Sequence, residues 1–214
     1  MRSIELAELA ELEVLRAERT EDWYPKVHRI FRTHDDLLVK RVDLRPAHVD
    51  YYLERLLVAG EAPCAEPIEA LVVEHGRFCG WAERYLPNLV PFRYFEAERD
   101  VFRAHCARQQ YLAQRGYFDL DAATINYARR ADGSVFTFDK DAVFRLDSLE
   151  PCQAAFDEIG ESPFWKLHGG TYFVLLRQSY RTLPDALLTD ISHAFASGQR
   201  RRIVAAFAAA AASV

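Results

Sequence analysis

Gly116-Tyr117-Phe118-Asp119-Leu120-Asp121-Ala122-Ala123-Thr124-Ile125-Asn126 is the stretch whose reading decides the fold. Upstream, residues 95–115 place Val101, Phe102, Cys106, Tyr111 and Leu112 at helical spacing, and Gly116 stops that helix. Downstream, residues 127–138 read as a short hairpin turning at Asp132-Gly133 and finishing on Asp139. Taken singly, Asp and Asn in such positions cap backbone groups in turns. The order of helix, glycine, loop, amide, hairpin and acid carries more than any one residue does.

Before the helix, residues 27–44 hold two β-branched stretches flanking Thr33-His34-Asp35-Asp36, which predicts a hairpin with its second strand over Leu37 to Val42. Pro46 opens a helix running to Ala59, with Gly60 ending it. Residues 68–74 and 77–85 follow as two strands joined at His75-Gly76. Residues 3–18 set Ile4, Leu6, Leu9, Leu12 and Leu15 among Glu and Ala, the period of an amphipathic helix. After residue 150 the chain reads as helices over 153–159, 164–166, 172–180 and 184–196, with an Ala-rich helical tail. Residues 172–176 also fit a buried strand by periodicity alone, and the helical surroundings favour helix.

The fold class is therefore α+β: one domain over residues 1–214, with a small antiparallel sheet and one helix in residues 1–87 and a helical part in residues 88–214. The composition sets limits. A net charge of -5 argues against a general nucleic-acid binder, because neutralising phosphates needs clustered Lys and Arg. Arg200-Arg201-Arg202 reads as the solvated end of a helix. No apolar run is long enough to span a bilayer, and the start lacks the basic and apolar regions of a secretory signal. The four cysteines are far apart and form no C-x-x-C pair, which favours a reduced, cytoplasmic setting and gives zinc no support. The His residues lack zinc spacing, and Trp23, Trp81 and Trp165 read as packing aromatics.

Asp121 and Asn126 stand five residues apart, and Asp139 lies thirteen beyond Asn126. In this the chain resembles the protein-kinase superfamily, whose catalytic loop H-R-D-x-x-x-x-N precedes a strand leading to D-F-G. The likeness covers roughly residues 27–144 and extends to Gly116, five residues before Asp121. It implies a two-lobed fold binding ATP and Mg²⁺. Asp121 is then the base facing the acceptor hydroxyl, with Asn126 and Asp139 as the metal ligands. By the same resemblance Lys40 contacts the ATP phosphates and Glu54, on the following helix, is its partner, with Asp50 as a substitute. Residues Glu83, Arg84, Tyr85 and Leu86 form the hinge that reads adenine through its backbone.

Several positions depart from that pattern. No glycine precedes Gly60, Asp119 replaces the usual His or Tyr, Ala123 stands where Lys is common, and D-F-G becomes Asp139-Lys140-Asp141. Asp119 reads either as a second carboxylate raising its neighbour's pKa or as a turn residue satisfied by amides, and Asp141 as a further metal ligand or a solvated acid. Only 75 residues follow Asp139, which resembles the minimal kinases of bacterial effectors. A Ser or Thr of a protein is the expected acceptor. A small-molecule kinase of the aminoglycoside-phosphotransferase type and a non-catalytic pseudokinase are the alternatives. The effector likeness also leaves open delivery into a host cell by a specialised secretion system, and oligomeric state has no signature in the sequence.

Overall fold

The structure is a computed structural model and describes residues 1–17, 27–87, 89–93, 99–121, 123–140, 142–146, 176–180, 183–196 and 200–214. The helices expected at 153–159 and 164–166, together with Asp141, Trp23 and Trp165, lie outside the described residues.

The helix expected over residues 3–18 is absent from the described part of that stretch, residues 3–17. These residues form β1 (Ser3–Glu5), a 3-10 turn at Leu6–Glu8 and β2 (Glu11–Ala17). The physical reason is the vacancy at both sides of a sheet. β1 pairs in parallel with β5 (Ile68–Glu74), and β2 pairs antiparallel with β3 (Val27–Thr33), so backbone pairing overrides helix propensity. Between them Leu6 and Leu9 pack with Ile4 over Phe31, Val39, Val72 and Ala82, one apolar face of the sheet.

The remaining strands match expectation. β3 turns through Thr33 to Asp36 into β4 (Leu37–Val42), where Asp36 adopts a φ of 55° and Thr33 Oγ1 accepts the Leu37 N–H at 3.2 Å. β5 joins β6 (Arg77–Arg84) through His75 and Gly76, whose φ values of 53° and 74° suit a two-residue type I′ turn. The six strands run in the order β1-β5-β6-β4-β3-β2, antiparallel except at β1.

Alternation along the strands sets Leu38, Lys40 and Val42 on one face and Val39 on the other. On the Lys40 face, Val27, Val42 and Trp81 bury Tyr52 and Leu56 of α1 (Val49–Glu61). The helix begins after a 3-10 turn at Pro46 and continues through Gly60, where an added Cβ would meet Ile68 at 2.7 Å. Gly60 therefore packs against the sheet rather than ending the helix.

The helical part is built on α2 (Arg99–Gln114), which stops where Gly116 takes a φ of 83°. β7 (Tyr117–Asp119) follows and pairs with β10 (Val143–Arg145); between them β8 (Tyr127–Arg129) and β9 (Val135–Thr137) form the expected hairpin. α3 (Asp185–Ala196) and α4 (Arg200–Ala212) agree with the reading of the tail, and Arg200 to Arg202 are exposed. Phe102, Phe118, Tyr127, Phe144, Tyr180, Ile191 and Phe207 share one core. A smaller cluster of Ala59, Ala62, Leu112, Tyr117 and Val143 joins α1 to α2, β7 and β10. No described helix is long and apolar enough to cross a membrane.

Candidate functional site

The segment after α1 turns toward the β8–β9 hairpin. Thr137 N–H donates to Cys64 O at 2.6 Å and Glu66 N–H to Thr137 O at 2.9 Å, which sets β9 below the end of the sheet. A cleft of about 270 Å³ results, lined by Leu15, Leu38, Glu66, Glu83, Arg84, Tyr85, Leu86, Leu89, Phe136 and Phe138. The predicted hinge residues thus line a mostly apolar slot. Tyr85 N–H is bonded to Asp36 O at 2.8 Å, so that amide faces the β3–β4 turn. A larger, shallower hollow of about 600 Å³ sits at the opposite ends of β4 and β6 among Arg41, Glu74 and Arg77, and shares no residue with the cleft.

Lys40 of β4 is buried behind this cleft, in contact with two of its lining residues. Its Nζ donates to the carbonyl of Phe138, a cleft residue, and lies 2.9 Å from Glu83 Oε2, an ion pair short of hydrogen-bond geometry. Glu83 Oε1 also receives Lys140 Nζ at 2.5 Å and Trp81 Nε1 at 2.7 Å. Only 1% of Glu83 is exposed, so this carboxylate sits inside protein between two cations. Burial alone would push its carboxyl up, but Lys140 and Lys40 more than offset that and hold it below the ordinary carboxylate range. Burial pushes the Lys140 ammonium down to about 8 against the pull of Glu83.

Glu54 is placed otherwise than its expected role requires. It is exposed, accepts from Tyr117 Oη and pairs with Arg145 of β10, because it leaves α1 on the flank facing the helical part rather than the sheet. Lys40 takes its carboxylate from the strand beside it. Asp50, the substitute, is exposed in the first turn of α1.

Asp121 is near enough to Asn126 to receive its amide and near enough to Asp139 to feel its charge. Burial first, then the charge of Asp139 and next that of Asp119, push the Asp121 carboxyl up to about 7, opposed by the Ala123 N–H at 2.9 Å and by the Asn126 amide. Asn126 Nδ2 is buried without a hydrogen bond of full geometry. Asp119 combines both readings made of it: it accepts the Asp121 N–H at 3.0 Å as a turn residue would, and it helps to raise its neighbour's pKa.

Two residues that sequence reasoning passed over hold this loop. Arg108, wholly buried on α2, donates from Nε to Asp119 Oδ2 at 2.8 Å, from Nη1 to Ala59 O at 3.0 Å and from Nη2 to Asp139 O at 3.4 Å. Gln109 clasps β7 by donating to Asp119 O at 2.6 Å and accepting Asp119 N–H at 3.1 Å. The signal for Arg108 was present, since it falls on the stripe Val101, Ala104, Arg108, Leu112, where an arginine has to be paired inside.

Among the described residues no group of three or more His, Cys, Asp or Glu is arranged to hold a metal ion. The donors available are two carboxylates and one amide. That set suits Mg²⁺, which is commonly held by one or two carboxylates with phosphate oxygens and water completing its shell. The upward push that the charge of Asp139 exerts on Asp121 is the electrostatic mark of a place where a cation would be stabilising. No protein-family model matches the chain, and no curated protein matches it significantly.

Proposed function

We propose that this chain is an ATP- and Mg²⁺-dependent phosphotransferase with a two-lobed protein-kinase-like fold, acting on a Ser or Thr hydroxyl of a protein. The observation that carries the reading is contiguity. Phe138 lines the cleft, its carbonyl accepts Lys40, the next residue is Asp139, and Asp139 acts on Asp121. Segments distant in sequence thus give a slot for a base, a cation for phosphates and an acid–amide set for a metal, in that order.

In this reading the base enters between Leu38 above and Phe136 and Phe138 below. The cleft lies near the lower end of the roughly 300–1,000 Å³ of small-molecule pockets, which suits a base with its phosphates extending beyond. Because the Tyr85 amide is turned away, the backbone of Arg84 and Leu86 is left to read the base edge, since successive groups alternate along an extended chain. Asp139 and Asn126 would hold Mg²⁺, which when bound offsets charge on the phosphates. Asp121 orients the acceptor hydroxyl and takes its proton as the new P–O bond forms and the bond to the ADP oxygen breaks. A carboxyl raised to about 7 is suited to that proton.

The test combines binding with transfer. Mg-ATP should raise the melting temperature as the logarithm of its concentration over Kd, and labelled phosphate should pass to a component of a protein lysate. Asp121→Ala or Asp139→Ala should reduce transfer by about 100-fold or more. Transfer undiminished in either variant refutes the assignment. Stabilisation without transfer to proteins or metabolites identifies a nucleotide-binding pseudokinase, and transfer only to metabolites a small-molecule kinase.

A further inference from the structure

The ion pair that surrounds Lys40 is unlike the one the resemblance implies. We infer that Glu83 of β6, not Glu54 of α1, is the residue that positions Lys40 for the nucleotide's phosphates, and that Lys140 is the counter-ion that lets it do so. The inference rests on the phosphotransferase reading and adds to it two positioning residues. Glu83 and Lys40 belong to hydrogen-bonded neighbouring strands, with Leu38 opposite Glu83 and Trp81 opposite Lys40. Gly80 lets those strands meet closely, since an added Cβ would lie 2.3 Å from the Lys40 carbonyl oxygen. The sheet itself therefore sets the distance between carboxylate and ammonium, and Trp81 Nε1 fixes the carboxylate's rotation.

Charge counting explains Lys140. A buried carboxylate with a single lysine is a neutral pair, and drawing that lysine toward a phosphate would strand the carboxylate, a costly step inside protein. Lys140 is fully buried and stays bonded to the other oxygen of Glu83, so Glu83 keeps a whole counter-charge when Lys40 leans away. Glu83, which lines the cleft, thus carries an ammonium group against each of its two oxygens. Glu54 has no part in this, being held by Tyr117 and Arg145.

Two readouts test the inference: Mg-ATP affinity by calorimetric titration, and the rate at which an amine-selective acylating reagent labels Lys40, followed by peptide mass spectrometry. Glu83→Gln alone strands Lys140, so Glu83→Gln/Lys140→Met, which removes both charges, is the principal variant, with folding checked by circular dichroism. It should weaken Mg-ATP binding by about ten-fold and raise Lys40 labelling about five-fold, whereas Glu54→Gln should move each by less than about two-fold. Lys140→Met alone should weaken Mg-ATP binding without raising Lys40 labelling. A parent that binds Mg-ATP while the Glu83 variants leave both readouts unmoved, or while Glu54→Gln reproduces their effect, overturns the assignment alone. A parent that binds no Mg-ATP overturns the phosphotransferase reading and this role with it.

Discussion

Replacing Arg108 by Met keeps an unbranched stem as far as the position of Nε and removes the guanidinium group with every polar contact it makes. Asp119 loses its ion partner while remaining only 6% exposed, and the carbonyls of Ala59 and Asp139 each lose a donor. Removing one partner of a buried pair costs about 3–5 kcal/mol, because the other charge is left uncompensated. Asp119 keeps the Asp121 N–H, which puts the expected loss at the lower end, about 3 kcal/mol. For a chain of this size each kcal/mol is roughly 2–4 °C, so the midpoint should fall by about 6–12 °C. Urea unfolding followed by circular dichroism measures the loss directly. Adding Asp119→Asn to Arg108→Met discharges the stranded carboxylate and should recover about 1 kcal/mol or more. A single variant within about 1 kcal/mol of the parent, or a double variant no better than the single, would refute the claim that this pair holds the loop.

His105 is buried against Tyr127 Oη at 3.0 Å, and burial, aided by Arg108, pushes its pKa down from 6.5 to about 3. The unfolded chain takes up this proton first. Stability is therefore present in full above about pH 6.5 and is shed at about 1.4 kcal/mol per pH unit as pH falls toward 3, a slope that His105→Gln should remove in denaturation curves at pH 4 to 6. Gly80→Ala should destabilise by about 1–3 kcal/mol and weaken Mg-ATP binding as well, since the new methyl forces β6 away from the Lys40 carbonyl; unchanged unfolding would contradict the close approach. Glu54→Gln breaks an exposed pair with Arg145 and should cost at most about 1 kcal/mol in the same assay, a larger loss arguing for a hidden role.

Local chemistry made the two hairpins of the sheet legible, because Asp36, His75 and Gly76 sit where turn geometry asks for positive φ. The same holds for Gly116 at the end of α2 and for the turn at Asp132-Gly133. The first seventeen residues misled because their Leu spacing has a helical period, while what decides their state is a pair of strands far along the chain waiting to be completed. The site divides the same way. Spacing within one continuous segment brought Asp121 and Asn126 together, and the hairpin carried Asp139 back toward Asp121. Glu83 was read only through its backbone, although it follows Trp81 at period two and so shares its inward face, where a carboxylate needs a cation. Its choice of Lys40 and Lys140 depends on strand register, which no local pattern encodes.

The outermost strands of the sheet come from one short stretch of polypeptide, β1 lying along β5 and β2 along β3. A protease that trimmed residues 1–17 would thus unzip both borders at once and bare Phe31, Val39, Val72 and Ala82 beneath Ile4. Each bared border is a template for another chain, so such a fragment would be expected to self-associate. The border formed by β2 is only thinly guarded even in the intact chain, since Glu11 is held by Arg29 and Leu12, Val14 and Leu15 stand exposed beside Glu13.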